Sequence, residues 1–313
     1  MFRSQIVVAL LSLAASFFSV VDAQNSNGNA TLVISNDDGW ATAQIRAQFE
    51  ALSDANYDVI LSAPAVNQSG KGSQTTTPEV LTTPCQFDTC PVGSPAHGFN
   101  ASDPRLNYVN AYPVDSANYG IQVLSPQHFG SSPDFLVSGP NIGPNIGIFT
   151  QLSGTVGAAS AASLQGIPAT AFSGVSGAQV SYTTLTSDPD ANSTRSARIY
   201  AALTAHFVDT LFNSGDATLP QQVIANVNYA AIDECSSPDD YKWVFTRNRR
   251  DSSAMDVETC GSDHLPSEAE VVLGKGCYIS VSAISAVTKT DVDATTQAAV
   301  LAQLQELPFS CYN

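Results

Sequence analysis

The sequence predicts an α/β protein of three layers, in which helices cover both faces of a mostly parallel β-sheet. Short apolar runs alternate with segments of helical spacing along most of the chain. The first unit is strand–helix–strand, which in a parallel pair predicts a right-handed crossover. Small polar clusters directly follow three of the strands, and ligands of open α/β sheets bind at such carboxyl ends.

The first 23 residues indicate a secretory signal rather than part of the fold. A single basic residue, Arg3, precedes an apolar run at residues 6–21, and Val21-Asp22-Ala23 is typical of a cleavage site. The run is short for a membrane span, and no later stretch has that length. We therefore expect a secreted protein that has no membrane attachment after processing.

The predicted elements then follow in a regular order. Strands are predicted at residues 31–35, 58–62, 134–137, 168–172, 222–229 and 277–283 because these runs are short, apolar and bounded by turn residues. Helices are predicted from apolar spacing at residues 41–54, 153–165, 195–212 and 293–304. Residues 65–130 are rich in Thr, Pro, Asn and Ser, which predicts an irregular loop or hairpin region.

Charge and composition exclude several kinds of partner. The formal net charge is −16, from 12 Lys and Arg against 28 Asp and Glu. A protein that binds a nucleic acid polymer needs a basic face, and docking to anionic membranes needs a polybasic patch. At 43% hydrophobic residues the chain can nevertheless bury a large core.

Six cysteines remain after the signal, and in an oxidising compartment they predict up to three disulfides. Cys85–Cys90 is the most plausible pair, because it closes a short loop flanked by prolines. No Cys-x-x-Cys motif is present, which disfavours a zinc site. Four glycosylation motifs also suit secretion, and we expect a glycan on at least one of them: Asn29, Asn67, Asn100 and Asn192.

The polar clusters at three strand ends predict a divalent-cation site. They read Asn36-Asp37-Asp38-Gly39, Asn67-Gln68-Ser69-Gly70-Lys71-Gly72-Ser73 and Ser138-Gly139-Pro140-Asn141-Ile142-Gly143-Pro144-Asn145. Carboxylates of Asp37 and Asp38, the Ser69 hydroxyl and the Asn141 amide oxygen are ligands that Mg²⁺ or Mn²⁺ prefers. Taken alone, Asp-Asp-Gly also suits a turn followed by a helix cap.

Ser153-Gly154-Thr155 opens a predicted helix with small residues, so its free N–H groups and positive dipole end suit a phosphate. A simple Ser N-cap is the alternative. The chain has no Gly-x-Ser-x-Gly elbow, which disfavours an α/β-hydrolase. His128 and His264 are the best candidates for an accessory acid. The cluster Arg247, Arg249, Arg250 suits either an anionic substrate or a solvated or paired set of surface residues.

Five ordered motifs resemble the SurE survival-protein family of phosphatases and nucleotidases. They are Val33-Ile34-Ser35-Asn36-Asp37-Asp38-Gly39, Ser62-Ala63-Pro64 with Gln68-Ser69-Gly70, Val137-Ser138-Gly139-Pro140-Asn141-Ile142-Gly143-Pro144-Asn145, Ser153-Gly154-Thr155-Val156-Gly157-Ala158-Ala159 and Gly166-Ile167-Pro168-Ala169. Fainter similarity continues into the last predicted helix. The resemblance implies a Rossmann-like α/β/α core in residues 24–230. Residues 231–313 would complete that core and add an extension, a hairpin and a helix, that often exchanges between subunits of a homodimer.

The resemblance also implies a function, namely metal-dependent hydrolysis of phosphate monoesters such as nucleoside 5′- or 3′-monophosphates. The family's metal ligands fall on Asp37, Asp38, Ser69 and Asn141. Phosphate-binding positions fall on Asn36, Asn145, Ser153, Gly154 and Thr155. The expected substrate is small and phosphorylated, and the expected branch is secreted and sometimes described as acid phosphatases.

We expect Asp37 or Asp38 to orient or deprotonate an attacking water, with Asp37 as a direct nucleophile the alternative. The chain departs from the family where typical members have a Gly-Thr-Pro-x-Asp-Cys segment near the substrate, because residues 115–120 read Asp-Ser-Ala-Asn-Tyr-Gly. Nucleotide preference therefore stays open. The rival hypothesis is a secreted binding protein that keeps the fold without catalysis.

Overall fold

The computed structural model describes residues 30–215 and 219–312, and the signal segment and Asn29 lie outside them. The described chain forms one nine-stranded sheet with helices packed on it. The strands are β1 (Thr31–Ser35), β2 (Asp58–Pro64), β3 (His97–Asn100), β4 (Asp103–Val109), β5 (Phe135–Ile142), β6 (Ala169–Gly174), β7 (Val223–Tyr229), β8 (Lys242–Thr246) and β9 (Tyr278–Ser285).

The helices are α1 (Ala43–Asp54), α2 (Pro113–Tyr119), α3 (Ser125–Phe129), α4 (Gly154–Leu164), α5 (Thr184–Ser187), α6 (Asn192–Asn213), α7 (Glu268–Val272) and α8 (Ala294–Gln303). A π-helical turn, Gly120–Leu124, joins α2 to α3, and a 3₁₀ turn, Gly147–Gln151, precedes α4. Across residues 30–215 and 219–312, no helix combines the length and the apolar character that crossing a membrane requires.

The sheet runs in the order β3-β4-β2-β1-β5-β6-β7-β9-β8. Its six central strands, from β4 to β7, pair in parallel, so their carboxyl ends meet at one edge. β9 pairs antiparallel with β7, and β8 pairs in parallel with β9. At the other edge of the sheet, β3 pairs antiparallel with β4. This mixed sheet has the Rossmann-like arrangement that the sequence predicts.

Alternating side chains of the strands bury two apolar layers, one on each face of the sheet. On β1, Leu32 and Ile34 face the layer that holds α1 and α6, whereas Val33 faces the layer that holds α2 and α4. The α4 layer is built mostly from alanines, which lets this helix lie close to the sheet. That close approach brings the first residues of α4 to the carboxyl end of β1.

Six of the nine strands and four of the helices lie where the sequence predicts them, with ends that differ by a few residues. The loop or hairpin region predicted at residues 65–130 is confirmed in its hairpin, because β3 and β4 pair antiparallel across a two-residue turn. The prediction is wrong at residues 113–129, which form α2, the π-helical turn and α3. Buried residues at the end of β4 and a Pro at the start of α2 drive this structure. The loop-like composition of the segment hides that pattern.

The C-terminal part also differs from expectation. Neither β8 nor the five-residue α7 is predicted by the sequence. The chain turns back after β9, where Ile284 and Asp291 form an antiparallel bridge, as a hairpin in this part would. β8 and β9 instead pair in parallel and are joined by a long connection that includes α7. Parallel strands require such a crossover rather than a tight turn. The final helix, α8, is present as predicted.

Three disulfides join all six cysteines, and the predicted Cys85–Cys90 pair is confirmed. The other two are Cys235–Cys277 and Cys260–Cys311. The Cys260–Cys311 bond ties down the end of the chain, where the Ser310 amide donates to the Trp243 carbonyl at 2.8 Å. The terminal residues therefore lie along β8, the last strand of the sheet.

Removing the disulfides is expected to destabilise the protein according to the length of chain that each one closes. In the chain-entropy model, the Cys260→Ser/Cys311→Ser double variant, with a separation of 51 residues, loses about 4 kcal/mol of unfolding free energy. The Cys85→Ser/Cys90→Ser variant, with a separation of 5 residues, loses about 2 kcal/mol. Urea unfolding of both variants tests the order. A larger loss in the second variant would contradict it.

Candidate active site

Two adjacent aspartates, Asp37 and Asp38, follow β1 at the edge where the parallel strands end. Both are almost completely buried, with 2% and 1% of their surfaces exposed. Asn36 closes the turn behind them, because its amide nitrogen donates to the Gly39 carbonyl at 3.1 Å and its amide oxygen accepts from the Gly39 N–H at 3.2 Å. Gly39 has φ +108°, a conformation that favours glycine. The turn thereby orients both carboxylates into the protein.

The start of α4 holds the carboxylate of Asp37. The Gly154 N–H donates to Oδ2 at 3.1 Å, and the Thr155 hydroxyl donates to Oδ1 at 2.9 Å. Burial raises the pKa of Asp37, and these hydrogen bonds lower it. A buried carboxylate needs such donors, and a helix start supplies unpaired N–H groups. The Gly154 N–H predicted to face a phosphate is therefore directed at Asp37, while the Ser153 hydroxyl caps the helix at the Val156 N–H.

Asp38 is held by two other segments. The Ile142 N–H at the end of β5 donates to Oδ2 at 2.8 Å, and the Gln179 amide donates to Oδ1 at 2.5 Å. Burial and the neighbouring charge of Asp37 raise the pKa of Asp38 well above its usual range. Among the described residues, no Lys, Arg or His pairs with either aspartate. The pair thus concentrates negative charge without a protein cation.

Asn141 lies beside this pair, and Ser69 lies in a neighbouring loop that contacts the backbone of Asp37. The Asn141 amide nitrogen donates to the Gly143 carbonyl at 2.6 Å, which leaves its oxygen 3.5 Å from the Thr155 hydroxyl that also contacts Asp37. Ser69 is exposed, and its loop is fastened by the Gln68 N–H, which donates to the Asp37 carbonyl at 2.7 Å. The topology brings the two polar loops to the aspartates as predicted from the strand ends.

These donor groups suit a hard divalent cation. In the described part of the chain, no cluster of three or more His, Cys, Asp or Glu side chains could hold a metal. Asp37, Asp38, Asn141 and Ser69 instead offer a carboxylate pair, an amide oxygen and a hydroxyl, an all-oxygen set of the kind that Mg²⁺ or Mn²⁺ binds. A cation would also relieve the repulsion that raises the pKa of Asp38.

Asn145 lies in the loop after β5 and is held by two asparagines of β7. Its N–H donates to the Asn228 amide oxygen at 2.8 Å, and its carbonyl accepts from the Asn226 amide at 2.8 Å. Its side-chain nitrogen donates to the Ser173 hydroxyl at 2.8 Å. One hydrogen of that nitrogen is then left for a ligand, because an amide nitrogen carries two.

Other polar residues singled out in the sequence have separate partners. The described hydrogen bonds of His264 go to Asp263 and Ser262, not to the aspartate pair. Arg247 is buried rather than solvated, and its guanidinium lies 2.6 Å from Asp256 and 3.6 Å from Asp291. Arg247 therefore forms its ion pairs in the interior of the C-terminal part.

Comparison with known proteins decides the family. A family model described as survival protein SurE matches residues 32–254, which is most of the chain. The chain belongs to the SurE family. A protein of Yarrowia lipolytica named acid phosphatase is 32% identical over 311 aligned residues, which cover 89% of this chain and 84% of that protein.

Two other SurE proteins agree with this membership. The protein of Polaromonas naphthalenivorans named 5'-nucleotidase SurE is 39% identical over 142 residues, 45% of this chain and 46% of that protein. The crystal structure of the SurE protein from Aquifex aeolicus has a TM-score of 0.57 at 23% identity, and the match covers 82% of this chain and 93% of that one. This last likeness supports the fold.

The start of α2, which includes Asp115, lies close to the start of α4. Pro113 lies against the start of α4, since a Cβ added to Gly154 would meet its Cγ at 2.7 Å. Asp115 accepts the Thr76 N–H at 2.8 Å. The start of α2 therefore supports the start of α4, where Asp37 is held.

Four side chains that hold the SurE site were missed at the sequence level, namely Gln86, Gln179, Asn226 and Asn228. Gln86 donates to the Asp38 carbonyl and to the Gln179 amide oxygen, both at 2.9 Å, so it orients Gln179. Gln86 begins a three-residue 3₁₀ turn and Gln179 lies in the loop after β6, and neither segment is long enough to give a sequence pattern. The asparagines of β7 gave a signal, because two polar residues interrupt an otherwise apolar buried strand.

A methyl group at position 154 is expected to disable the site without unfolding the protein. In Gly154→Ala the Cβ would stand 2.8 Å from the Asp37 Cβ and 3.0 Å from its Oδ2. The aspartate must move, and we expect turnover of a phosphate monoester to fall about 100-fold. Ser160→Ala on the same helix removes a hydroxyl without a hydrogen-bond partner and serves as the control. Equal activity of both variants would contradict the expectation.

Proposed function

We propose that this protein is a secreted phosphomonoesterase that depends on a divalent metal, a SurE-like acid phosphatase or nucleotidase. The observation that carries the proposal is the buried pair Asp37 and Asp38, which has no protein cation among its described partners and lies at the ligand-binding edge of the sheet. The names of the relatives, acid phosphatase and 5'-nucleotidase SurE, support hydrolysis of a small phosphorylated substrate. The three disulfides suit an oxidising compartment.

Four residues would hold the metal, most plausibly Mg²⁺ or Mn²⁺, and they are Asp37, Asp38, Ser69 and Asn141. When bound, the cation would neutralise charge on the phosphate oxygens and so stabilise the transition state. Both carboxylates are preorganised for this role, because donors from α4, β5 and the loop after β6 fix them in place. Such preorganisation is the main way in which a site stabilises developing charge.

The chain's own groups then account for binding and proton transfer. Asn145 offers its remaining amide hydrogen to a phosphate oxygen, and the positive end of α4 at Ser153, Gly154 and Thr155 favours negative charge beside Asp37. The carboxylate of Asp37 or Asp38 orients a water and accepts its proton as the P–O bond to water forms. The bond from phosphorus to the leaving oxygen breaks in the same displacement. Asn36 keeps the turn that aims both groups.

The resemblance also supports two further proposals. We propose that residues 24–230 form the α/β core and that residues 231–313 complete it and contribute to a homodimer. A rival function, a secreted binding protein without catalysis, shares the fold but gives no reason for two buried and adjacent carboxylates. The enzymatic function accounts for them directly.

Metal-dependent hydrolysis of p-nitrophenyl phosphate between pH 4 and 8 tests the proposal. We expect release of nitrophenol with Mn²⁺ or Mg²⁺ and its loss with EDTA. Asp38→Asn should lower turnover on the order of 1000-fold or more, because it removes one carboxylate of the pair. Asp54→Asn, at the exposed end of α1, is the matched control and should keep full activity. No metal-dependent release under any condition would favour the binding protein.

The glycosylation motif closest to the site is expected to stay unmodified. Asn67 lies two residues before Ser69, and its amide oxygen accepts the Ser69 N–H at 2.8 Å. A glycan there would crowd the proposed metal ligand. Mass spectrometry of protein secreted by a eukaryotic host should show no glycan on Asn67, with Asn100 and Asn192 as comparison sites in the same sample. Full occupancy at Asn67 would refute the expectation.

A further inference from the structure

A third buried carboxylate, Glu268, lies apart from the aspartate pair and has no role in the proposed chemistry. It is the first residue of α7 and is fully buried. Among the described ion pairs none involves Glu268. Instead its Oε1 accepts from the Asn226 amide at 2.8 Å, and its Oε2 accepts from the Asn248 amide at 2.9 Å. Its two oxygens therefore orient two amide groups.

The carboxylate of Glu268 determines how these two amide groups are oriented. Both turn their nitrogen towards Glu268, and their oxygens, Oδ1 of Asn226 and Oδ1 of Asn248, are buried without a partner among the described residues. A buried polar atom without a partner is unfavourable, so a compensating interaction must outweigh it. An ionised carboxylate accepts hydrogen bonds and donates none, which disfavours the flipped amides. Burial raises the pKa of Glu268 to about 7, whereas the bonds from Asn226, Ser282 and Asn248 favour its charged form.

Asn226 connects Glu268 to the backbone of Asn145. The nitrogen that faces Glu268 also donates to the Asn145 carbonyl at 2.8 Å, so both of its hydrogens are engaged. Asn228 holds the N–H of the same residue at 2.8 Å and reaches its carbonyl at 3.4 Å. If the Asn226 amide flipped, its oxygen would face the Asn145 carbonyl and the two would repel. The backbone of Asn145 is therefore held through the orientation that Glu268 selects.

We propose that Glu268 is a positioning residue for phosphate binding, which acts through Asn226 to fix the backbone of Asn145. The inference rests on the proposed function, in which the Asn145 side chain donates to the substrate phosphate. Glu268 itself touches no reacting group. It lies outside residues 32–254, the part of the chain that matches the family model. The last part of the chain thus controls a group at the sheet edge.

Inhibition by inorganic phosphate measures the effect directly, with the full-length enzyme and Mn²⁺ at pH 8, where the Glu268 carboxyl, with a pKa of about 7, is mostly ionised. Glu268→Met keeps the side-chain volume and removes both acceptors. We expect it to raise the inhibition constant of phosphate and the KM about tenfold, the effect of losing one or two hydrogen bonds, with kcat within about threefold. Asn226→Ala should do the same. The double variant should be no worse than Asn226→Ala alone, because both changes act on one contact.

Three further variants separate positioning from folding. Val271→Ala loosens the same helix at a fully buried residue outside the network, and its inhibition constant should stay unchanged. Glu268→Gln keeps one acceptor oxygen and should have a smaller effect than Glu268→Met, and it replaces that variant if Glu268→Met fails to fold. Asn145→Ala is the benchmark for loss of the phosphate contact.

The outcomes are distinguishable. If Asn145→Ala weakens phosphate binding and Glu268→Met does not, the inference is overturned and the proposed function stands. If Val271→Ala weakens phosphate binding as much as Glu268→Met does, the role of Glu268 is structural and the inference is overturned. If Asn145→Ala has no effect, the proposed phosphate contact is wrong, and the role of Glu268 falls with it. Strictly additive effects of the double variant would also overturn the inference.

Discussion

The burial of two adjacent carboxylates at the end of one strand is the constraint on which the site depends. Asp37 and Asp38 repel each other and are removed from water, so every oxygen needs a donor. The donors come from three other places in the fold, the start of α4, the end of β5 and the loop after β6. Each of these segments must therefore be in register with β1 before the pair is satisfied. The fold and the site therefore form together, because the shared edge of the parallel strands brings these segments to one place.

Much of this arrangement can be predicted from the sequence, because the informative signals are local. Short apolar runs bounded by Pro, Gly and Asn mark the central strands, and helical spacing marks the longer helices. The ligand candidates lie at or after the carboxyl ends of strands, as Asp37 does after β1 and Asn141 does just before Ile142, the last residue of β5. The rule that parallel strands end at one edge therefore brings them together without knowledge of the fold. The spacing of Cys85 and Cys90 is similarly local, and their bond was predicted.

The remaining features depend on contacts between distant residues that no local pattern encodes. Gln179 reaches Asp38 only because its loop folds back over the sheet edge, and a single Gln in a loop carries no periodic signal. Residues 97–129 form strands and helices although their composition is that of loops, since burial against the rest of the sheet overrides local propensity. Glu268 illustrates the same limit. Its surface-type side chain becomes an interior group only once β7, β9 and α7 are assembled.

The antiparallel pairing of β9 with β7 determines how much of the chain a stable fold requires. The family model matches residues 32–254, whereas β9 begins at Tyr278. β7 carries both Asn226 and Asn228, and β9 pairs with all of it, from Val223 to Tyr229. A chain cut where the family model ends would leave this strand as a bare, apolar sheet edge, open to pairing with other chains. The smallest independently stable piece is therefore larger than the segment that the family model matches, and hydrogen bonding between strands sets its limits.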